Sequence, residues 1–484
     1  MLPARQHFLY GKRFIMEKPV KRRDLVDLKI EDLSFHGKGV AKLDNYTIFV
    51  DDAIPGQKVT AKIKKAKKSY AEAYIKEILE KSEFEIEAPC KYFDYCGGCK
   101  HQNIPYDIQL NFFYKQIKDL YQRLGGFTKI EINPVIGAEN IFHYRNKMEF
   151  SFSRHRWLTG EFEKEKPQDF ALGLRARGNY WKSIDLNECL IAPKESARIM
   201  ALVRNFCLEN NLKAYDQREH VGFLRHLMIR KGYNTDQLMV NIVTQENRPD
   251  IFAPLKEQIL AEFPQITSFM HTVATNKGGT TIPEIQNILH GREYIEDKLG
   301  DLIYKISSAS FFQTNTIMAE KLYHEIRQAA KVETHENVWD LYCGTGSIGL
   351  FLAPDAKTVT GIEIIKDAVH DAINNAKNNN IDNIEFLHGN LDSLFDKQPE
   401  LSAQLPHPDL LIVDPPRSGL HPKLIDRIIQ INPSRIVYIS CNPATQVRDL
   451  TLLTEKGGYN ITSVQPVDMF PHTPHIEVVT GLSK

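Results

Sequence analysis

The sequence predicts an α/β protein with three parts: a small N-terminal β-barrel, a central α+β region, and a C-terminal doubly wound Rossmann-like domain. Three observations carry this. From about residue 310 the chain alternates strand and helix, the order that builds a parallel sheet with helices on both faces. Between about 24 and 80 it runs as short β-rich segments cut by Gly and Pro turns, the pattern of a small barrel. Between these lies a mixed stretch that opens on three cysteines within ten residues. A length of 484 residues fits about three domains at ~100–200 residues each. The expected boundaries are 1–23 for an N-terminal extension, 24–82 for the barrel, 83–309 for the central domain and 310–484 for the last.

Each element has a local reason. Val26, Leu28 and Ile30 alternate ahead of a Gly turn at His36–Gly39, and YTIFV (46–50), KVTAKI (58–63) and AEAYIKEIL (71–79) follow, with Pro55-Gly56 between the first two. Residues 105–126 place Ile108, Phe112, Ile117 and Leu120 at helical spacing. The central part interleaves NKMEFSFS (146–153) and QLMVNIVT (237–244) with a helical stretch at 195–211. In the last part VWDLY, TVTGIEI, IEFLH, DLLIVD, RIVYIS and IEVVTGL read as strands. Met16 is a possible start, with the first 15 residues upstream of it.

Lys+Arg and Asp+Glu both total 61, which excludes a globally basic nucleic-acid binder but not a local basic face. Residues 1–80 hold 17 basic against 11 acidic side chains, and Lys62, Lys64, Lys65, Lys67 and Lys68 fall close together. Such a run is either a solvated strand or a phosphate-contacting face. No run of 18 apolar residues and no apolar leader are present, so a cytoplasmic protein is the expectation.

Chemistry concentrates at strand ends, where open α/β sheets bind ligands. Asp340-Leu-Tyr-Cys-Gly-Thr-Gly346 leaves one strand and opens a helix, and Glu363 ends the next strand 19 residues after Gly344. The glycines allow a tight turn and close approach of a ligand, and the acid can take ribose hydroxyls. This pattern points to an adenosine-bearing cofactor, although an αβ unit with a tight turn reads similarly. Asp414-Pro-Pro-Arg417 and Ser440-Cys441-Asn442-Pro443 follow two further strands. Glu477 begins the last strand and would face Cys441 if that strand runs antiparallel; without that topology it reads as a solvated edge carboxylate. Seven cysteines are present. Cys90, Cys96 and Cys99 have ligand spacing, with Cys189 the fourth by exclusion, and four thiolates suit zinc or an iron–sulfur cluster.

The combination resembles the RNA 5-methyluridine methyltransferase family, specifically its ribosomal-RNA branch, from about residue 24 to the end. Gly37-x-Gly39-Val40-Ala41, Phe49-Val50 and Pro55-Gly56 match its TRAM-type barrel. The resemblance implies an S-adenosylmethionine-dependent methyltransferase domain at 310–484. Gln313, Tyr342, Glu363, Asn390 and Asp414 would bind that cofactor. Cys441 would be the nucleophile and Glu477 the base. A [4Fe-4S] cluster would sit on Cys90, Cys96, Cys99 and Cys189. Ser82-Glu83-Phe84-Glu85 departs from the family, which often carries a basic residue there.

The implied reaction is methylation of uracil carbon 5, with 23S ribosomal RNA the expected partner and a monomer the expected state. Cys441 needs help to ionise, and the sequence does not say from which group. Phe311 either stacks on the base or is a core aromatic. Transfer RNA is the alternative substrate. A non-catalytic RNA-binding or assembly factor is the alternative of another class, and a methylthiolating radical enzyme is disfavoured by the cysteine spacing.

Overall fold

The computed structural model describes residues 18–159, 167–276, 283–391 and 405–484. The N-terminal extension as far as residue 17, with the candidate start at Met16, lies outside them. The chain divides into two compact units, Met1–Glu85 and Ile86–Lys484.

The first unit is a six-stranded sheet built from the expected segments. Leu25–Lys29, Lys58–Ala66, Tyr70–Glu80, Tyr46–Asp51, Gly39–Leu43 and Asp32–Leu33 neighbour one another in that order. Alternation drives it. In Tyr46–Asp51 every second side chain is buried, so Tyr46, Ile48 and Val50 enter a core shared with Leu28, Val59 and Ala73. Gly39 is required because a Cβ there would lie 2.8 Å from the Ala53 carbonyl oxygen.

In the second unit, the central part is a six-stranded sheet ordered Ile285–Gly291, Ile266–Val273, Leu238–Thr244, Leu224–Lys231, Lys147–Ser153, Ala171–Gly173. Leu238–Thr244 is buried at every position, which explains why it is apolar on both faces apart from Asn241 and Thr244. Helices Ser196–Glu209 and Ala253–Glu262 share one core with this sheet. The segment expected as one helix over 105–126 is an α-helix, Tyr106–Asp119, followed by a π-helical turn, Leu120–Leu124.

The last part is a seven-stranded sheet ordered Ile384–His388, Thr358–Glu363, Asn337–Leu341, Leu410–Val413, Arg435–Ser440, Glu477–Ser483, Asn460–Val467. The first five are mutually parallel, and Glu477–Ser483 runs antiparallel to both its neighbours. The order reverses direction at Asn337–Leu341, a switch point that opens a crevice beyond the strand ends. Elements the sequence reading did not name include the Asn460–Val467 edge strand, the hairpin of Tyr294–Leu299 with Leu302–Ser307, and the central strands Leu224–Lys231, Ile266–Val273 and Ile285–Gly291.

Candidate active site

The Gly-loop forms because its backbone enters the left-handed region three times, at Tyr342 (φ 63), Gly344 (φ 55) and Gly346 (φ 77). A Cβ added at Gly344 would meet nothing within 4 Å, so this turn borders open space, whereas one at Gly346 would strike the Phe386 ring at 2.5 Å. Glu363 is buried and fixed from both sides: one carboxylate oxygen accepts the Gly344 amide at 3.1 Å and the other the Ile365 amide at 2.8 Å. Asn390 is exposed just beyond the next strand, and the adjoining Gly389 amide donates to the Glu363 carbonyl at 2.9 Å. Gln313 lies on the loop before helix Thr316–Ala330, held by Asn146 donating to the Gln313 carbonyl at 2.7 Å. Thr345 ties that loop to the Gly-loop by donating to the Phe311 carbonyl at 3.3 Å. Phe311 itself is 66% exposed, so it is not a core aromatic.

Asp340 lies on a strand, and Asp414 follows the end of the strand paired with it. Asp340 is fully buried and accepts the Gly349 amide at 2.9 Å, while its second oxygen has no partner. Burial, with the charges of Asp414 and Glu363, raises its carboxyl to about 8. Asp414 retains some exposed surface yet packs deeply enough that burial raises it to about 7. An unpartnered buried oxygen, an open Gly turn and a fixed carboxylate fit a polar adenosine-bearing cofactor at this edge.

The antiparallel last strand decides the position of Glu477. Ser440 pairs with Val478, so continuing the register by one residue sets Cys441 against Glu477. Glu477 is buried, and burial with the Asp414 charge holds its carboxyl well above the usual carboxylate range. Cys441 is half-buried, and burial, then Glu477 and Asp414, push its thiol up to about 11.

Arg417 is the group that sequence reasoning missed. Its guanidinium hydrogen-bonds Cys441 and its charge favours ionisation of both Cys441 and Glu477. His475 lies 3.3 Å from it. The chain holds Arg417 from behind: Asn442 donates to its carbonyl at 2.9 Å and Thr445 at 3.3 Å. Arg417 was visible as the last residue of Asp-Pro-Pro-Arg. That the loop folds back on the Cys441 turn was not.

The cysteine loop forms a separate place. Cys96 and Cys99 are buried, and Cys90 and Cys189 half-buried. The thiols lie close enough that Cys96 and Cys90 raise Cys189, to about 11, and Cys189, Cys96 and Cys90 raise Cys99, to about 12, with burial the largest cause in each. Each sulfur receives a hydrogen bond: Cys90 from Tyr92, Cys96 from the Gly98 amide at 3.4 Å, Cys99 from Gln102, Cys189 from Ile191 and Ala192. Among the described residues no group of three or more His, Cys, Asp or Glu side chains is arranged to hold a single metal ion. The remaining thiols, Cys207 and Cys343, are buried elsewhere.

In the barrel unit, a surface cavity of about 530 Å³ is lined by Lys18, Lys21, Arg22, Lys64 and Lys65 with Val20 and Ala66. Among the described residues no carboxylate lines it, although Lys64 reaches out to Asp51 at 2.8 Å. Among the described residues no helix is long and apolar enough to cross a membrane.

Known proteins share this organisation. Residues 280–484 match the tRNA (Uracil-5-)-methyltransferase family and 19–76 the TRAM domain. An uncharacterized RNA methyltransferase of Chlorobaculum tepidum is 39% identical over 95% of this chain and 96% of its own length. One of Halalkalibacterium halodurans is 37% identical over 96% and 98% respectively. The crystal structure of Pyrococcus abyssi tRNA (uracil-54, C5)-methyltransferase in complex with S-adenosyl-L-homocysteine superposes with a TM-score of 0.73 at 29% identity, covering 94% of this chain and all of that one. The chain therefore belongs to the RNA uracil-5-methyltransferase family, with an N-terminal TRAM domain and a Rossmann-like methyltransferase domain that uses S-adenosylmethionine.

Proposed function

We propose that the protein methylates carbon 5 of a uridine in 23S ribosomal RNA through a covalent adduct between Cys441 and uracil. The observation that carries this reading is the strand register that sets Cys441 against Glu477, with Arg417 on the thiol. Carbon 5 of uracil is too weak a nucleophile to act unaided. The Cys441 thiolate adds to carbon 6, and the electrons of the carbon 5–carbon 6 bond move into an enolate. S-adenosylmethionine, when bound, would supply an electrophilic methyl group, which the enolate's carbon 5 takes as the sulfur–methyl bond breaks and S-adenosylhomocysteine is left. Glu477 then takes the carbon 5 proton, and the Cys441–carbon 6 bond breaks to restore the ring.

The resting site keeps this chemistry off. Arg417 stabilises the Cys441 thiolate that opens the reaction, and Glu477, whose carboxyl burial raises, passes its own proton to solvent before it takes the one from carbon 5. Gln313, Tyr342, Glu363, Asn390 and Asp414 hold the cofactor in this reading. The exposed Phe311 stacks on a uracil drawn out of its strand, which costs a few kcal/mol and favours loops over duplexes. The lysine-lined barrel cavity grips flanking phosphates.

The four cysteines are assigned to a [4Fe-4S] cluster with a structural or RNA-contacting role. Their hydrogen-bond donors suit thiolates, and a cluster spreads its four ligands more widely than a single ion does. Cellular location is cytoplasmic and the working unit a monomer.

Transfer RNA is the second reading, favoured by the likeness to the Pyrococcus abyssi tRNA (uracil-54, C5)-methyltransferase. The test uses methyl-labelled S-adenosylmethionine with unmodified RNA, separated into 23S, 16S and transfer RNA and digested. Labelled 5-methyluridine in 23S RNA is expected. Label only in transfer RNA selects the second reading, and no labelled 5-methyluridine in any fraction rejects both.

A further inference from the structure

A second aromatic surface lies on the central region, away from the Cys441 turn in sequence and on different elements. Tyr180 is 81% exposed, more than any other large apolar side chain among the described residues; Phe311 follows at 66%. A single exposed ring is ordinary; here it stands beside further aromatic rings and cations, which together make a surface suited to a ligand. Trp181 is half-buried next to it, with the Lys182 ammonium 4.9 Å and the Arg218 guanidinium 5.3 Å from its ring. Trp157 shares Lys182 at 5.6 Å.

The surface is held rigid. Gly178 turns with φ 69, Asn179 accepts the Trp181 and Lys182 amides at 3.2 and 3.1 Å, and the Ala176 amide closes the turn on the Lys182 carbonyl at 3.0 Å. His155 packs edge-on against Trp181 at 5.1 Å and binds Asp216 at 3.0 Å. Asp216 also accepts the Arg218 and Glu219 amides at 2.8 and 3.2 Å, so the carboxylate within the group is already occupied.

We infer that the Tyr180–Lys182 turn, with Arg218, is a stacking platform for an unpaired stretch of the RNA substrate flanking the methylated base. Every base offers a π-face, so an exposed rigid ring binds single strands without reading sequence, while neighbouring cations meet the backbone. Tyr180 supplies the stacking face; Lys182 and Arg218 supply phosphate contacts. A protein partner fits less well, because hot spots of protein interfaces sit in desolvated, well-packed pockets rather than on an open ring beside cations. The platform rests on the RNA reading above and adds to it a binding place for the flank.

The test uses the full-length protein and a fluorescein-labelled single-stranded oligoribonucleotide of uridines, with tryptophan emission as a second readout. Two of the three tryptophans, Trp157 and Trp181, lie on the platform, and Trp339 is buried in the sheet. Binding is expected to quench emission in the wild type and to lose most of the quench in W181F. Y180A, at an exposed position, is expected to weaken binding by about tenfold and to raise KM for RNA with kcat and S-adenosylmethionine affinity unchanged. K182Q with R218Q is expected to flatten the salt dependence of binding. Wild-type affinity and quenching in both Y180A and W181F overturn the platform. Methylation is measured separately: 5-methyluridine formed with unchanged KM in Y180A rejects the platform alone, whereas platform-dependent binding without methylation of any RNA rejects the catalytic reading alone.

Discussion

Cys441 and Cys96 are both shielded from bulk water and both resist ionisation, yet what surrounds them differs. Around Cys441 stand the carboxyls of Glu477 and Asp414, with the Arg417 guanidinium as the opposing cation. Around Cys96 stand Cys90, a backbone amide from Gly98 and the Arg177 charge. Arg177 also donates to the carbonyls of Phe93 and Cys99 at 2.8 and 2.9 Å, bracing the loop. The proposed function gives the same side chain two kinds of chemistry. The Gly98 amide and the Arg177 charge favour a thiolate at Cys96 while Cys90 opposes it, so several thiolates side by side call for a cation among them, as a metal group supplies. Carboxyls with one guanidinium favour a charge that appears transiently and moves between partners, as a nucleophile and base demand.

The largest expected effect that sharpens this contrast is C441A. It should lower methyl transfer by about 10⁴-fold or more while S-adenosylmethionine binding, read by calorimetry, stays at the wild-type value. C96S should do the reverse. Its expected outcome is a lower melting temperature and loss of bound iron by elemental analysis, with the alkylation rate of Cys441 in the folded fraction unchanged. A C96S protein that keeps its melting temperature and its metal content removes the four-cysteine cluster from the account.

E477Q comes next. Turnover should fall by about 10²–10⁴-fold. Deleting that carboxyl lowers the Cys441 pKa, because Glu477 raises it, so iodoacetamide should label Cys441 faster at pH 8. R417A should do the opposite, with labelling slowed by about tenfold and the alkylation profile moved to higher pH. Peptide-resolved mass spectrometry separates Cys441 from the other thiols. Equal labelling in the two variants would contradict the electrostatic assignment.

The smallest expected effect concerns Asp340. Its native carboxyl titrates near 8, far above an unfolded aspartate at about 3.9. A raised native pKa makes this group's contribution full below the unfolded value and lost as pH rises towards 8. D340N removes that loss. Relative to wild type it should gain stability steadily as pH rises between roughly pH 5 and 7, read by denaturant unfolding.

Much of this organisation was legible in the residues, and the parts that were not share a cause. The parallel strands announced themselves because burial on both faces makes continuous apolar runs, as in Leu410–Val413. Asn460–Val467 did not, since an edge strand with polar alternation and Pro466 carries little of that signal. The chemistry-bearing residues were visible at strand ends, but the partnership of Cys441 and Glu477 depended on strand direction, which residue spacing does not encode. Arg417 depended on a loop folding back through Asn442 and Thr445. Tyr180 gave no sign at all, because exposure is a tertiary property.

The most direct test of the central claim is a denaturing gel of E477Q incubated with S-adenosylmethionine and substrate RNA. Without its base the enzyme should stall after methyl transfer, leaving a protein–RNA band that survives denaturant and carries the methyl label. The band should be absent from the C441A/E477Q double variant. A labelled band of equal intensity in the double variant, or full release of 5-methyluridine by E477Q, would contradict the account.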